Sequence, residues 1–197
     1  MDTITAQRAM QLAKSYIDEV EDSPDPNQWK DQRHTLMLAA RQLNLATQAD
    51  PEATLEDGDM TYTIPMLRAR MLYKEALTWD KQDYNKAVHI AKKAAEADPN
   101  YVYAHHMLAI YHWDRREKNQ ALASIDRVLE LEPNNIEALK LRDRIQSLTT
   151  AERAVYKTTD IAATTFNITR IILTIILLPV RIVLFPLLLI SRLFLGK

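Results

Sequence analysis

One phrase of ten residues occurs twice in this chain of 197 residues. It reads TWDKQDYNKA at 78–87 and HWDRREKNQA at 112–121, so corresponding positions of the two copies lie 34 residues apart. The matching pairs include Trp79 and Trp113, Asp80 and Asp114, Ala87 and Ala121, and, further along, Pro99 and Pro133. A fixed period of this length is typical of stacked helical repeats, in which each helix pair covers the next. The sequence therefore predicts an all-α solenoid, a class of protein that usually binds other proteins.

These residues and their spacing resemble the tetratricopeptide repeat (TPR) family, whose repeats are pairs of helices packed closely at small Ala positions. Repeat one then spans 68–101 and repeat two spans 102–135, each with an Ala at the central small position. In repeat one, Lys74 and Glu75 replace the Leu-Gly pair of the family. The resemblance implies that the first helix of each repeat lines a concave groove that binds a partner.

Further segments extend the predicted array on both sides. Residues 1–50 carry two runs with apolar residues at helical spacing, which predicts a divergent N-terminal repeat. The spacing from Pro51 to Pro99 is longer than one repeat, so 51–65 is predicted to be an inserted loop. The remaining predicted parts are two TPR repeats with a capping helix at 66–148, a linker helix at 149–165 and a hydrophobic segment at 166–197.

Composition excludes several classes of function. The chain has two glycines, so no glycine-rich loop exists to hold a phosphate, and it has no cysteine for disulfides or thiol catalysis. The segment 1–160 holds all 26 acidic side chains against 21 of the 25 basic ones, a net charge of −5. Because phosphate neutralisation supplies most nucleic-acid affinity, we expect no nucleic-acid binding. We also predict no enzyme activity and no cofactor.

Three of the five histidines, His105, His106 and His112, lie close together in sequence. A zinc site needs three or four convergent ligands. The resemblance places His105 and His112 at core aromatic positions and His106 on the groove, which favours packing over metal binding. We therefore predict no metal site.

The resemblance maps nine residues to the concave groove: Leu72, Ala76, Trp79, Asp80, Tyr103, His106, Ile110, Trp113 and Asp114. Such a groove would favour a peptide or helix with apolar anchors and a Lys or Arg. In the alternative interpretation, both Trp residues pack between helices, and Lys81 and Arg115 offset the two aspartates at a solvated corner. Chaperone-binding members of the family clamp a C-terminal carboxylate with Lys, Asn and Arg. The matching positions here hold Leu72, Ala76, Tyr103 and Met107, so that function is not expected.

The C-terminal segment carries a second repeat, in which Arg170, Arg181 and Arg192 recur at a spacing of eleven. This spacing is close to three helical turns, so the three arginines share one face of a helix. The residues predicted to contact membrane or lipid are Phe166, Arg170, Thr174, Arg181, Phe185, Arg192 and Phe194. Three arrangements stay open: a single span, an in-plane or re-entrant helix, and an oligomer whose arginines face an internal pathway.

The predicted function is that of a membrane-anchored adaptor or scaffold whose groove recruits a protein or peptide partner to the cytosolic face of a membrane. No secretory signal is evident in the first ten residues, and the bacterial inner membrane and the mitochondrial outer membrane fit equally well. The alternative is a membrane-remodelling or pore-forming protein, in which the C-terminal segment acts on lipids and the repeats drive assembly of a homo-oligomer.

Overall fold

Seven helices and one β-hairpin form the part of the chain that the computed structural model describes, residues 3–22 and 27–147. In chain order they are α1 (Thr3–Glu19), α2 (Trp29–Ala49), β1 (Thr54–Asp57), β2 (Met60–Thr63), α3 (Ile64–Trp79), α4 (Tyr84–Ala97), α5 (Val102–Asp114), α6 (Lys118–Leu131) and α7 (Ile136–Gln146). The predicted helical repeat fold is confirmed for these residues.

The helices pack in consecutive pairs, α1 with α2, α3 with α4 and α5 with α6, and α7 packs against α6. The pairs stack because α2 contacts α3 and α4 contacts α5. The second helix of each pair carries an Ala at the central small position, and Ala39, Ala87 and Ala121 are all fully buried. A methyl side chain is small enough to let two helix backbones approach, which explains why the sequence repeats Ala at this position.

Local signals fix the helix ends. The side chain of Asp83 accepts a hydrogen bond from the backbone N–H of Lys86 at 3.1 Å, which caps the start of α4. Thr63 caps α3 in the same way, accepting from the N–H of Met66 at 3.3 Å. At the turn between α5 and α6, Arg116 adopts a left-handed conformation with φ 62°.

The predicted loop at 51–65 is corrected by the structure, which contains an antiparallel hairpin there. Asp57 pairs with Met60, so the turn consists of Gly58 and Asp59 alone, and Gly58 takes the positive φ of 60° that such a turn requires. Leu55 and Tyr62 pack against the core of the first helix pair. The spacing of the prolines showed only that residues are inserted here, whereas alternating inward and outward side chains stabilise them as two paired strands.

The hairpin is attached to α1 by polar contacts. Lys14 forms a salt bridge with Asp57 at 2.8 Å, and its ammonium lies 5.3 Å from the ring centroid of Tyr62. Two turns earlier, the side-chain amide of Gln7 donates to the carbonyl oxygen of Thr54 at 3.3 Å. One face of α1 is thus covered by the hairpin.

Lys74, which departs from the family pattern, is buried with only 5 % of its surface exposed. Its ammonium donates to the carbonyl oxygen of Val20 and lies 3.2 Å from the carboxylate of Asp22. The substitution therefore links α3 to the segment that follows α1. A buried charge is tolerated here because it is both paired and hydrogen-bonded.

Other predictions lie outside the described residues. These are the linker helix at 149–165, the hydrophobic segment at 166–197 and the seven lipid-contacting residues, Phe166, Arg170, Thr174, Arg181, Phe185, Arg192 and Phe194. Among residues 3–22 and 27–147, no helix is both long enough and apolar enough to cross a membrane.

Candidate partner-binding groove

A groove of about 240 Å³ lies between α3 and α5, the first helices of the two repeats. We call it the α3–α5 groove. Its lining residues are Tyr73, Leu77, Asp80, Tyr103, His106, Met107, Ile110, Tyr111 and Asp114. Most of these side chains are apolar or aromatic, and two are carboxylates. The groove is thus an apolar surface that carries two negatively charged side chains.

Tyr73 and Tyr103 form an aromatic wall of the groove, and Tyr101 packs behind them. The ring of Tyr73 lies 5.9 Å from the rings of both Tyr101 and Tyr103, and the latter two are 5.7 Å apart. Tyr103 remains 62 % exposed, and Ile110, two turns further along α5, is 39 % exposed. Large exposed apolar side chains next to a concave surface are typical of a site that a partner covers.

Two carboxylates lie where α3 and α5 end. Asp80 follows the last residue of α3, and Asp114 is the last residue of α5. The side chain of Asp80 accepts a hydrogen bond from the hydroxyl of Tyr111. The pKa of Tyr111 is raised mainly by burial and secondly by this carboxylate. Burial, then Asp114 and Asp80, raise the pKa of Tyr84 to about 12. Both aspartates therefore lie close enough to Tyr84 to raise its pKa.

The acidic end of the groove lacks salt bridges. Neither Asp80 nor Asp114 forms one within residues 3–22 and 27–147. Arg115, which the sequence suggested as an offsetting cation, directs its Nε to Glu117 at 3.2 Å and opposes the two aspartates only in part, lowering the pKa of Tyr84 less than burial and the carboxylates raise it. Because the helix dipole also disfavours negative charge at a helix C-terminus, this end of the groove attracts cations.

The concave surface continues from α5 to the start of α7. Tyr103 and His106 line both the α3–α5 groove and a neighbouring depression that includes Ile136 and Glu137. The Nε2 atom of His106 lies 3.8 Å from the carboxylate of Glu137. The surface therefore has a carboxylate near each of its ends.

Close to Tyr73, a salt bridge connects α3 to α1. Arg70 lies one turn before Tyr73 on α3, and its guanidinium forms a salt bridge with Asp18 of α1 at 2.8 Å. Asp18 in turn accepts a hydrogen bond from Lys14 at 2.7 Å, the residue that holds the hairpin. This polar network limits how far the groove extends towards the N-terminal helix pair.

Five of the nine predicted groove residues line the α3–α5 groove, namely Asp80, Tyr103, His106, Ile110 and Asp114. The other four are not among its lining residues. Ala76 is fully buried and Leu72 packs between two core clusters. Trp113 packs against the core that α5 and α6 share. None of these three offers the predicted surface to a partner in the groove.

Trp79 is not among the residues that line the groove, and it makes the packing contacts that the alternative interpretation describes. The guanidinium carbon of Arg33 lies 3.8 Å from its ring centroid, and the ammonium of Lys86 lies 3.4 Å from it. These cations come from α2 and α4, so the Trp79 ring joins three helices. Its indole N–H is buried without a hydrogen-bond partner in the described part of the chain. The ring therefore contributes packing and cation–π contacts to the fold.

Three groove residues escaped the sequence analysis, namely Tyr73, Leu77 and Tyr111, and Met107 was named there only as a position matching the family's carboxylate clamp. Their spacing carries a signal that could have found them, since Tyr73 and Met107, like Leu77 and Tyr111, are separated by one repeat period. The groove on α3 is lined by residues one position later than Leu72 and Ala76. The sequence does not show this rotation because the burial of Ala76 depends on packing against neighbouring helices.

The histidines are engaged in local contacts. His105 Nε2 lies 3.0 Å from the carbonyl oxygen of Pro99, and His112 Nδ1 lies 2.5 Å from the carboxylate of Glu117. Among the described residues, no group of three His, Cys, Asp or Glu side chains could hold a metal ion.

The repeat region is similar to a known protein family. Residues 78–145 match the model of the tetratricopeptide repeat family. This match supports the TPR assignment. The matched region contains the second half of repeat one, all of repeat two and the capping helix α7, so it includes α5, one complete wall of the groove.

Among solved structures, the chain is similar to one described as "First TPR of Spaghetti (RPAP3) bound to HSP90 peptide SRMEEVD". The two are 19 % identical, the alignment covers 70 % of this chain and 94 % of the other, and the TM-score is 0.44. A comparison with curated protein sequences gave no significant match.

Proposed function

We propose that this protein is a membrane-associated TPR adaptor that docks a segment of a partner protein in the α3–α5 groove. The observation that carries this proposal is the exposed apolar wall of the groove, above all Tyr103 and Ile110. Burying apolar surface is the main favourable term in protein association. TPR repeats supply such a surface on a rigid scaffold, because the side chains stand on packed helices.

Membrane association rests on the sequence of the C-terminal segment. Its arginines at 170, 181 and 192 recur at a spacing that places them on one helix face, and apolar residues fill most of the remainder. Such a helix can keep its cations among lipid phosphates while its apolar face enters the acyl region. The partner would then be recruited to the cytosolic face of a bacterial inner or mitochondrial outer membrane.

The groove is tested with a matched pair of variants in the full-length protein, Ile110→Asp and Met37→Asp. Both replace an exposed apolar side chain on a helix, with exposures of 39 % and 49 %, but Met37 lies on α2 away from the groove. Proteins that co-purify from detergent extracts are quantified by mass spectrometry. We expect partners to be lost from Ile110→Asp and kept by Met37→Asp, both proteins having wild-type circular dichroism. Identical partners for the two variants would contradict the proposal.

Membrane association is tested by flotation with vesicles of phosphatidylcholine alone or with added phosphatidylserine. We expect the full chain to float with both types and more completely with the anionic one, and failure to float would refute membrane association. Residues 166–197 fused to a fluorescent carrier are tested in parallel for dye release from the same vesicles. Release by this fusion would favour the alternative function, in which the C-terminal segment itself acts on the bilayer.

A further inference from the structure

We infer that the partner segment bound by the α3–α5 groove carries a Lys or Arg next to apolar side chains, with its cation placed between Asp80 and Asp114. This inference rests on the proposed function, because it names the chemistry of the partner at the same site. It follows from three features of the described residues: the apolar wall of the groove, its acidic end and the lack of salt bridges to that end.

The apolar wall sets the first requirement. Between Tyr73 and Leu77 on α3 and Met107 and Ile110 on α5, the groove offers aliphatic and aromatic contacts over about 240 Å³. That space accommodates one or two large side chains. A purely polar segment would lose hydration there without gaining apolar contacts, so the partner must contribute at least one apolar anchor.

The acidic end sets the second requirement. Asp80 and Asp114 both lie near the Tyr84 hydroxyl, which itself donates to the carbonyl oxygen of Tyr111 at 2.8 Å. This hydroxyl hydrogen is thus already used within the protein. Neither carboxylate has a salt bridge in the described part of the chain, so a cation brought by a partner would meet two negative charges at once.

Charge at the far end of the surface excludes the opposite class of partner. Glu137 lies beside His106, where the groove continues towards α7. An acidic segment laid along the surface would meet a carboxylate at either end and would be repelled. The charge of the groove is therefore negative, whereas a site that clamps a C-terminal carboxylate is positive. The groove selects cationic over anionic segments.

The test uses random twelve-residue peptides displayed on phage and selected on the full-length protein in detergent. Two double variants serve as targets for the selected peptides. Asp80→Asn with Asp114→Asn removes both groove charges but leaves an amide oxygen at position 80 to accept from the Tyr111 hydroxyl. Asp59→Asn with Asp143→Asn changes net charge equally at exposed positions on the hairpin turn and α7. The binding of fluorescein-labelled copies is followed by anisotropy at two salt concentrations.

We expect selected peptides to be enriched in Lys or Arg beside Leu, Ile, Met or Phe. Their dissociation constants should rise about five- to tenfold in the groove double variant and stay unchanged in the control, since two partly exposed charges are removed. Raising salt should weaken wild-type binding and leave the groove double variant less affected.

Two other outcomes overturn the inference and are distinguishable. Peptides whose binding is lost in Ile110→Asp, but which are neutral or acidic and insensitive to the loss of Asp80 and Asp114, would refute the cationic partner and leave the groove as a docking site. Peptides insensitive to Ile110→Asp as well would refute the groove as a docking site and the inference with it.

Discussion

Replacing Trp79 by Ala should destabilise the fold and leave the groove chemistry intact. The ring packs against the core that α3, α4 and α5 share, and Arg33 and Lys86 lie 3.8 and 3.4 Å from its centroid. Truncating a packed Trp to Ala costs about 3–5 kcal/mol, and each cation–π contact adds about 0.5–1 kcal/mol at a partly exposed site. Removing the unsatisfied indole N–H returns about 1–3 kcal/mol. The net cost is therefore about 3 kcal/mol.

The matched variant Trp79→Phe separates these contributions. It keeps an aromatic face for Arg33 and Lys86 but removes the buried N–H, so we expect an unfolding free energy within about 1 kcal/mol of wild type. Urea denaturation of the full chain in a non-denaturing detergent, followed by far-ultraviolet circular dichroism, measures both variants. Thermal unfolding should show Trp79→Ala melting lower by roughly 2–4 °C for each kcal/mol.

The decisive comparison is between stability and partner binding. If Trp79 is a structural residue, Trp79→Ala loses stability while the surviving folded fraction binds the partner with unchanged affinity. Retained stability together with lost binding would refute this reasoning and return Trp79 to the groove. The same measurements on Ile110→Asp should give the reverse pattern.

Three further predictions concern local structure. Asp83→Ala removes the cap on the Lys86 N–H and should cost about 1 kcal/mol of unfolding free energy in urea denaturation, whereas the exposed Asn85→Ala should change it by less than about 0.5 kcal/mol. Gly58→Ala should cost about 1 kcal/mol in the same assay, because nothing contacts the added methyl but φ is 60°, and a smaller loss would show that the turn rearranges. Burial and three carboxylates raise the pKa of Tyr84 from 10.0 to about 12. Its contribution to stability is therefore complete below pH 10 and lost as the pH rises through 12. Tyr84→Phe should flatten the alkaline part of a pH titration of unfolding, and an unchanged slope would contradict this assignment.

The repeat was predictable because its signal is local and redundant. The fixed spacing, the buried Ala87 and Ala121 and the breaks before Pro99 and Pro133 each indicate the same helix pairs, and the observed α4 and α6 agree. Consistency between local signals and the packed structure is what makes such arrays predictable from one sequence. The TPR match to residues 78–145 covers the same region.

The hairpin and the groove on α3 depended on information that the repeat does not carry. The Asp57-Gly58-Asp59 turn followed by Thr61-Tyr62-Thr63 is a recognisable hairpin signal, but it is short and lies outside the repeat period. Ala76 is buried in the core that α3 shares with α4 and α5, and this packing leaves Tyr73 and Leu77 to line the groove. Tertiary packing of this kind cannot be derived from helical spacing alone.

The covered face of α1 has a consequence for the strength of recognition. Since the groove is lined by α3 and α5 alone and the Arg70–Asp18 salt bridge connects α3 to α1 beside it, a partner contacts a short surface that begins at α3. Short surfaces give weak intrinsic affinity, for example a dissociation constant on the order of 10 µM. A partner attached to the same bilayer would meet the groove at an effective concentration of about 1 mM and would saturate it. Under the proposed membrane association, the small groove would make recruitment depend on where the partner is, and the groove would be occupied at the membrane and empty in free solution.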